Sequence, residues 1–136
     1  MRFLLDTNVI SELRKPKPHP GVVSWLKEIG PLDFAVCALS FAEMQQGVEL
    51  TRRQDPAKAA EIDVWLDELR DSIPVVPISV DACRLWARLM SGKPNQLRED
   101  GLIAAVAIAN GLTVATRNVK DFVPFGVKIV NPFDLD

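Results

Sequence analysis

The chain opens with a short apolar run that leads directly into a carboxylate and then into a helical pattern. The apolar residues 3–5 end at Asp6, and the helical pattern begins after the polar pair Thr7 and Asn8. In an open parallel sheet, ligands bind outside the carboxyl ends of the strands. The sequence therefore places Asp6 where such a fold carries its chemistry, as a metal ligand, a nucleophile or a helix N-cap.

Strand and helix patterns alternate along the rest of the chain. Such alternation is typical of a parallel α/β sheet with helices on both faces, and 136 residues is the length of one domain, residues 1–136. The all-apolar helix 102–109 is expected to be buried. The predicted strands are 2–6, 33–38, 73–78, 112–115 and 127–130, and the predicted helices are 8–14, 21–29, 40–52, 56–72, 80–90 and 102–109.

Composition indicates a soluble cytoplasmic protein. The net charge is −2 and the pI is about 5.4, which argues against a broad basic surface for nucleic acid. Cys37 and Cys83 lie in apolar surroundings without C-x-x-C spacing, so we expect buried free thiols in a reducing compartment. The sequence has no signal-peptide pattern and no run of about 20 apolar residues that would span a membrane.

Three acidic residues lie at the predicted ends of elements that a parallel sheet brings to one edge. Asp6 follows the first strand, Glu43 lies in the first turn of its helix, and Asp100 lies at the head of the buried helix. Clustered carboxylates repel one another unless a cation neutralises them, and their oxygens suit Mg²⁺ or Mn²⁺. Such an ion activates water and stabilises charge at a phosphodiester. The polar residues after the fourth predicted strand belong to the same edge: Thr116, Arg117 and Asn118.

Each acid also has a local explanation. Asp6 and Asp100 are suitable N-caps for the helices that follow them, and the segment Ser40 to Glu43 fits the S-x-x-E capping box. Because Asp6 is tied to the carboxyl end of a strand, a shared site explains the three acids together better than three separate caps do.

Four segments, in order, resemble those of PIN-domain ribonucleases, and more narrowly the VapC/FitB-like toxins of bacterial type II toxin–antitoxin systems. The segments are LLDTNVISEL at 4–13, SFAEMQQG at 40–47, EDGLIAA at 99–105 and LTVATRNVKDF at 112–122. The ending at 131–133 is similar as well. The resemblance covers essentially the whole chain and implies a PIN-like three-layer sandwich with a central, mostly parallel sheet.

The resemblance also implies a metal-dependent endoribonuclease that cleaves RNA phosphodiesters with metal-activated water. Asp6, Glu43 and Asp100 would hold Mg²⁺ or Mn²⁺. Asn118 stands at a fourth catalytic position that is often Asp in relatives. An amide oxygen can bind a metal or a metal-bound water but brings no charge, so a second metal ion is not implied.

Four further polar residues have two interpretations each. Asn8 holds Asp6 in place or shapes the turn, and Thr116 binds a carboxylate or metal-bound water or is an ordinary strand-end residue. Arg117 contacts an RNA phosphate or pairs with an acid of the site. Asp121 supplies the missing charge or forms a turn or cap.

Partners follow from the resemblance too: a cognate VapB-like antitoxin that blocks the acidic site, a second copy in a homodimer, and operator DNA reached only through the antitoxin. Asn118 motivates one alternative, a catalytically weak or inactive domain that serves as a regulatory subunit on that DNA. A phosphotransferase of the haloacid dehalogenase kind requires Asp-x-Asp where this chain has Asp6-Thr7-Asn8. A dinucleotide-binding domain requires a G-x-G-x-x-G motif after the first strand, which this chain lacks.

Other residues have simpler expected roles. The tryptophans lie on apolar helical stripes, where core or dimer packing is favoured over base stacking. His19, between prolines, is expected in a solvated loop. The basic residues just after the Asp6 motif are candidates for phosphate contacts: Arg14, Lys15 and Lys17.

Overall fold

The computed structural model describes residues 1–135, and its centre is a sheet of five parallel strands. The strands are β1 Phe3–Leu5, β2 Phe34–Cys37, β3 Val75–Val76, β4 Thr113–Ala115 and β5 Ile129–Val130. Their spatial order is β3-β2-β1-β4-β5, with β1 in the middle. Leu5 of β1 pairs with Val36 on one side and with Ala115 on the other, so β1 and β4 end at the same level and β2 ends one residue later.

Helices connect the strands and cover both faces of the sheet. Two of them begin with proline at the first position, where the missing N–H costs nothing. Asp55 and Ser79 cap their helices as predicted, accepting hydrogen bonds from the amides of Lys58 and Ala82. The helices are α1 Thr7–Glu12, α2 Pro20–Ile29, α3 Ala38–Arg52, α4 Pro56–Ser72, α5 Val80–Met90, α6 Arg98–Ala109 and α7 Val119–Phe122. Short 3₁₀ turns cover Asn95–Leu97 and Val123–Phe125.

The core consists of two apolar layers, one on each face of the sheet. Leu4 belongs to the layer under α6, whereas its neighbour Leu5 belongs to the layer under α2. Successive strand residues point to opposite faces, so one strand supplies both layers. Helix α6 is buried from Ile103 to Ala107, as its uninterrupted apolar sequence predicted. The expected α/β architecture is confirmed, with every strand pairing parallel.

A third apolar cluster joins α3 to α4. Val48, Ala59 and Leu66 are its buried members, and Trp65 is half-buried between this cluster and the layer under α2. Trp25 is buried, with its ring edge-on to Phe3 at 4.9 Å. These two tryptophans therefore do contribute to packing, as their positions on apolar stripes predicted.

Two predictions about single side chains are wrong. Cys37 is buried, but Cys83 is exposed, because its neighbour Ala82 faces the sheet from the same turn of α5. His19 is not a solvated loop residue: its Nδ1 accepts a hydrogen bond from the amide of Gly21 at 3.0 Å and caps α2. Within the described residues 1–135, no helix has both the length and the apolar character to cross a membrane.

Candidate active site

Asp6 lies immediately after β1 and is held from three directions. Its Oδ1 accepts a hydrogen bond from the amide of Thr7 at 2.8 Å, so Asp6 is also the N-cap of α1. Its Oδ2 accepts from the hydroxyl of Thr116 at 2.8 Å and from the amide group of Asn8 at 3.2 Å. The side chain is 4% exposed. Asp6 is therefore both a cap and a fixed carboxylate at the carboxyl edge of the sheet.

The same contacts join the loops that follow β1 and β4. The Thr116 hydroxyl accepts a hydrogen bond from the amide of Asn118 at 2.9 Å, and Asn8 Oδ1 accepts from the amide of Arg117 at 3.1 Å. Because β1 and β4 are neighbouring strands, these hydrogen bonds fix the positions of the two loops relative to each other. Thr116 binds a carboxylate, and Asn8 orients Asp6.

A cleft of about 260 Å³ opens beside Asp6. Glu43 enters it from α3, and Asp100 enters it from the first turn of α6. The structure thus brings the three predicted acids together with Asn118, whereas Thr116 lies behind Asp6 and neither Arg117 nor Asp121 lines the cleft. The lining residues are Asp6, Thr7, Asn8, Ser11, Glu43, Asp100 and Asn118.

Thr7 and Ser11 were not among the predicted site residues. They are four residues apart on α1 and so share the helix face that points to the cleft. That spacing was visible in the sequence, but which face of α1 meets the site depends on how the helix packs.

The capping interpretations of Glu43 and Asp100 are wrong. Helix α3 begins at Ala38, directly after β2, so Ser40 lies inside the helix and forms no capping box. Between residues 1 and 135, the buried hydroxyl of Ser40 has no hydrogen-bond partner. Helix α6 begins at Arg98, which places Asp100 in its first turn rather than at the cap.

The carboxyl groups of the cleft have raised pKa values. Burial, together with the charges of Asp6 and Glu99, raises the pKa of Glu43 to about 7. Burial and the charges of Asp6 and Asp121 raise the pKa of Asp100 to about 6. Burial also raises the pKa of Asp6, against the opposing hydrogen bond from Thr116. These shifts mean that the folded protein resists full ionisation of the cleft unless a cation is bound.

The oxygen atoms that line the cleft suit a hydrated divalent ion as ligands. Among residues 1–135, the buried Oε1 atom of Glu43 lacks a hydrogen-bond partner. Over the same residues, no three Asp, Glu, His or Cys side chains already stand close enough to enclose a metal. Mg²⁺ usually keeps several waters and takes only one or two carboxylates, so an open cleft with carboxylate oxygens suits it.

Arg117 lies on an aromatic ring rather than on an acid of the cleft. Its Cζ atom is 4.0 Å from the centroid of the Phe133 ring, which in turn is edge-on to His19. None of the ion pairs between residues 1 and 135 includes Arg117. Of the two interpretations of this residue, the ion pair is not present, and the RNA phosphate contact stays a prediction. Of the other basic candidates, Lys15 pairs with Glu12 at 2.9 Å.

Comparison with known proteins agrees with this architecture. The profile of the PIN domain matches residues 3–123. The chain belongs to the PIN domain family. Toxin FitB of Neisseria gonorrhoeae is 33% identical to this PIN domain over 141 residues, which cover 96% of this chain and 98% of FitB. The VapC ribonuclease Y4jK of Sinorhizobium fredii is 36% identical and covers 97% of this chain and 98% of its own length.

Solved structures give the same result. The structure of FitAB bound to an IR36 DNA fragment contains a chain that superposes with a TM-score of 0.79 at 32% identity, over 98% of this chain and 97% of that one. The structure of FitAcB from Neisseria gonorrhoeae also matches with a TM-score of 0.79. The resemblance to VapC/FitB-like proteins seen in the four sequence segments, and the PIN-like fold it implied, are confirmed.

Proposed function

We propose that this PIN domain is a metal-dependent endoribonuclease that acts as the toxin of a type II toxin–antitoxin system. The observation that carries the proposal is the convergence of Asp6, Glu43 and Asp100 on one cleft at the carboxyl edge of the sheet. Relatives that match along almost the whole chain are named as a toxin and as a ribonuclease, which supports the same assignment.

Asp6, Glu43 and Asp100 would hold Mg²⁺ or Mn²⁺ in this cleft. A divalent ion bound there supplies a Lewis acid that activates water and neutralises charge at an RNA phosphodiester. Thr116 and Asn8 contribute by holding Asp6 in one orientation, so the carboxylate does not have to be reorganised when substrate arrives. Burial of the acids makes their interaction with a cation stronger than it would be at an exposed surface.

The neutral side chain of Asn118 favours a site with a single ion. Asn118 lines the cleft but brings no charge. Asp121 lies one turn further on in α7 and contributes to the raised pKa values of Asp6 and Asp100. We assign Asp121 the role of the missing negative charge, acting through the field of the site rather than as a ligand, because it does not line the cleft.

The proposed partners follow the same family relationship. A VapB-like antitoxin would neutralise this toxin, the toxin would form a homodimer in the cytoplasm, and operator DNA would be contacted through the antitoxin. The matching FitAB structure contains DNA. The net charge of −2 on this chain agrees with DNA contacts that come from the partner.

A binding role without catalysis is the second candidate. It is favoured by Asn118, which lines the cleft but brings no charge. An aspartyl-phosphate mechanism at Asp6 is disfavoured, because both of its carboxylate oxygens accept hydrogen bonds and Asn8 replaces the second acid.

The test is cleavage of a pool of cellular RNAs by the purified protein with and without Mg²⁺ or Mn²⁺. Asp6→Ala and Asp100→Ala should abolish cleavage. Asp81→Ala is the matched control, since Asp81 is an exposed acid in the first turn of α5, away from the cleft. Cleavage that persists in both cleft variants would refute the assignment, and absence of metal-dependent cleavage by the wild type would favour the binding role.

A further inference from the structure

A second cleft of about 250 Å³ adjoins the acidic one. The two clefts share Thr7, Ser11 and Glu43 in their linings, so they form one continuous depression. The second cleft runs between α1, α3 and α4, away from Asp6 and towards Arg14 and Trp65. Anything bound across the acidic cleft therefore has a direct path into the second one.

The chemistry of the second cleft is mixed. Arg14, just after the end of α1, contributes an exposed cation that is absent from the ion pairs formed within residues 1–135. Trp65 contributes a half-buried aromatic ring, and Thr51 adds a hydroxyl. The hydroxyl of Thr7 lies on the wall shared by the two clefts, beside the carboxyl group of Glu43, and it lowers the pKa of that carboxyl against the effect of burial.

We propose that this second cleft is a subsite for one nucleotide of the RNA substrate, next to the scissile phosphate. The Trp65 ring contacts the base, Arg14 contacts the adjacent phosphate, and the hydroxyls of Ser11 and Thr51 contact the ribose or the base edge. The inference rests on the proposed ribonuclease function, because it takes the phosphodiester to lie in the acidic cleft.

The groups that line the second cleft suit a nucleotide, because a guanidinium, an aromatic ring and hydroxyls surround an aliphatic floor of Met44, Val48, Ile62 and Leu66. Its volume of about 250 Å³ is continuous with that of the acidic cleft, which would hold the adjoining phosphate. Single-stranded RNA is recognised by unstacked bases that lie on aromatic side chains, with Arg or Lys on the backbone. The carboxylates at one end would hold a metal ion at the scissile phosphate, and the guanidinium at the other end would contact the next phosphate of the strand.

Gly47 allows the cleft to be filled without disturbing the fold. Gly47 lines the second cleft, and a Cβ atom at this position meets nothing within 4 Å. It lies inside α3, where other residues are favoured over glycine. Gly47→Leu therefore places a side chain in the cleft. Gln46→Leu is the matched control, because Gln46 is an exposed residue of α3 that lines neither cleft.

Two further variants probe the contacts themselves. Trp65→Leu removes the ring, but Trp65 also packs against the cluster of Val48 and Leu66, so a loss of stability has to be measured beside it. Arg14→Gln removes the cation from an exposed position. A phosphate contact by Arg14 has a signature that a structural role does not share: the slope of log Kd against log salt decreases by about 0.7.

The experiment uses a labelled ten-nucleotide RNA of random sequence. Binding is measured with Ca²⁺ in place of Mn²⁺, and cleavage with Mn²⁺ is followed by sequencing of the new ends. We expect Gly47→Leu and Trp65→Leu to weaken binding roughly 5- to 100-fold and to flatten the base preference at one position beside the cut. Gln46→Leu should bind and cut like the wild type.

The two arms separate failure of the subsite from failure of the proposed function. If the wild type binds but does not cut, weaker binding by Gly47→Leu still supports the subsite while the ribonuclease assignment fails. If the wild type cuts and neither Gly47→Leu nor Trp65→Leu changes affinity or base preference, the proposed subsite is wrong. A protein segment would then be the favoured occupant of the cleft. A wild type that neither binds nor cuts the RNA overturns both.

Discussion

Replacing Glu43 by Gln should stabilise the metal-free protein above pH 7. Burial and the neighbouring acids raise the pKa of Glu43 from its ordinary 4.5 to about 7, so the folded state binds this proton more tightly than the unfolded state does. The associated stability is fully present below pH 4.5 and is lost as the pH rises through 7. Gln keeps the shape of the protonated acid and never ionises, so the variant avoids that loss.

The magnitude follows from the pKa and from the partial exposure of the side chain. At about 1.4 kcal/mol per pH unit, a rise from 4.5 to about 7 corresponds to roughly 3 kcal/mol for a fully desolvated group. Glu43 is only half-buried, and water screens part of this energy, so we expect about 1–2 kcal/mol. For a domain of this length that is a rise in Tm of about 3–8 °C.

The assay is thermal unfolding in EDTA between pH 4.5 and 8.5. The Tm of Glu43→Gln should match the wild type at the acidic end and exceed it increasingly up to pH 8, and Mn²⁺ should raise the Tm of the wild type more than that of the variant. Glu61→Gln, at an exposed acid of α4, is the control and should change nothing. A Glu43→Gln protein that is no more stable than the wild type at pH 8.5 in EDTA would refute the reasoning.

Three other perturbations test parts of the fold that hold the site. Thr116→Val removes a buried hydroxyl with three hydrogen-bond partners, Asp6, Asn8 and Asn118, and should cost about 1–3 kcal/mol, measured by urea unfolding; an unchanged midpoint would contradict it. Gly101→Ala brings a Cβ within 3.0 Å of the Phe125 ring and should cost about 1–3 kcal/mol in the same assay, unlike an alanine in open space. A thiol reagent should modify Cys83 in the native protein and Cys37 only after unfolding, so that equal native rates would be inconsistent with their burial.

Long periodic patterns were enough to predict the framework of the fold. The uninterrupted apolar stretch after Asp100 predicted a buried helix, and α6 is one. The two-residue strand β3 lies between Pro74 and Pro77, which already made its sequence a marginal strand, since proline removes a ladder hydrogen bond. Helix α7, Val119–Phe122, was missed because one turn is too short to show a 3.6-residue period.

Local motifs misled where tertiary structure sets the boundary. Ser40 to Glu43 matches a capping box, yet α3 begins at Ala38, directly after Cys37, the last residue of β2, which pairs with Val76 of β3. The position of Glu43 in the cleft follows from that direct strand-to-helix transition and not from a cap. The family resemblance identified the correct segment, whereas the capping rule gave a wrong explanation for the presence of Glu43.

The part of the site that could not be predicted depends on contacts between distant segments. Asp6 and its strand end are visible in the sequence, but the wall made by Thr7 and Ser11 requires α1 to lie against α3. Glu99 and Asp121 affect the acids through space, from α6 and α7. No pattern within one segment reports such distances.

The backbone of the loop after β4 explains how the site accommodates a neutral fourth residue. The amides of Arg117 and Asn118 are bound by Asn8 and by Thr116, so the conformation of this loop does not require a charged side chain at position 118. Exchange of Asp for Asn there changes the charge of the cleft while the hydrogen bonds that orient Asp6 stay in place. In the proposed single-ion site, Asp121 contributes negative charge from α7 that would help to attract the first cation. The carboxylate absent from position 118 is the extra ligand that a second cation would need.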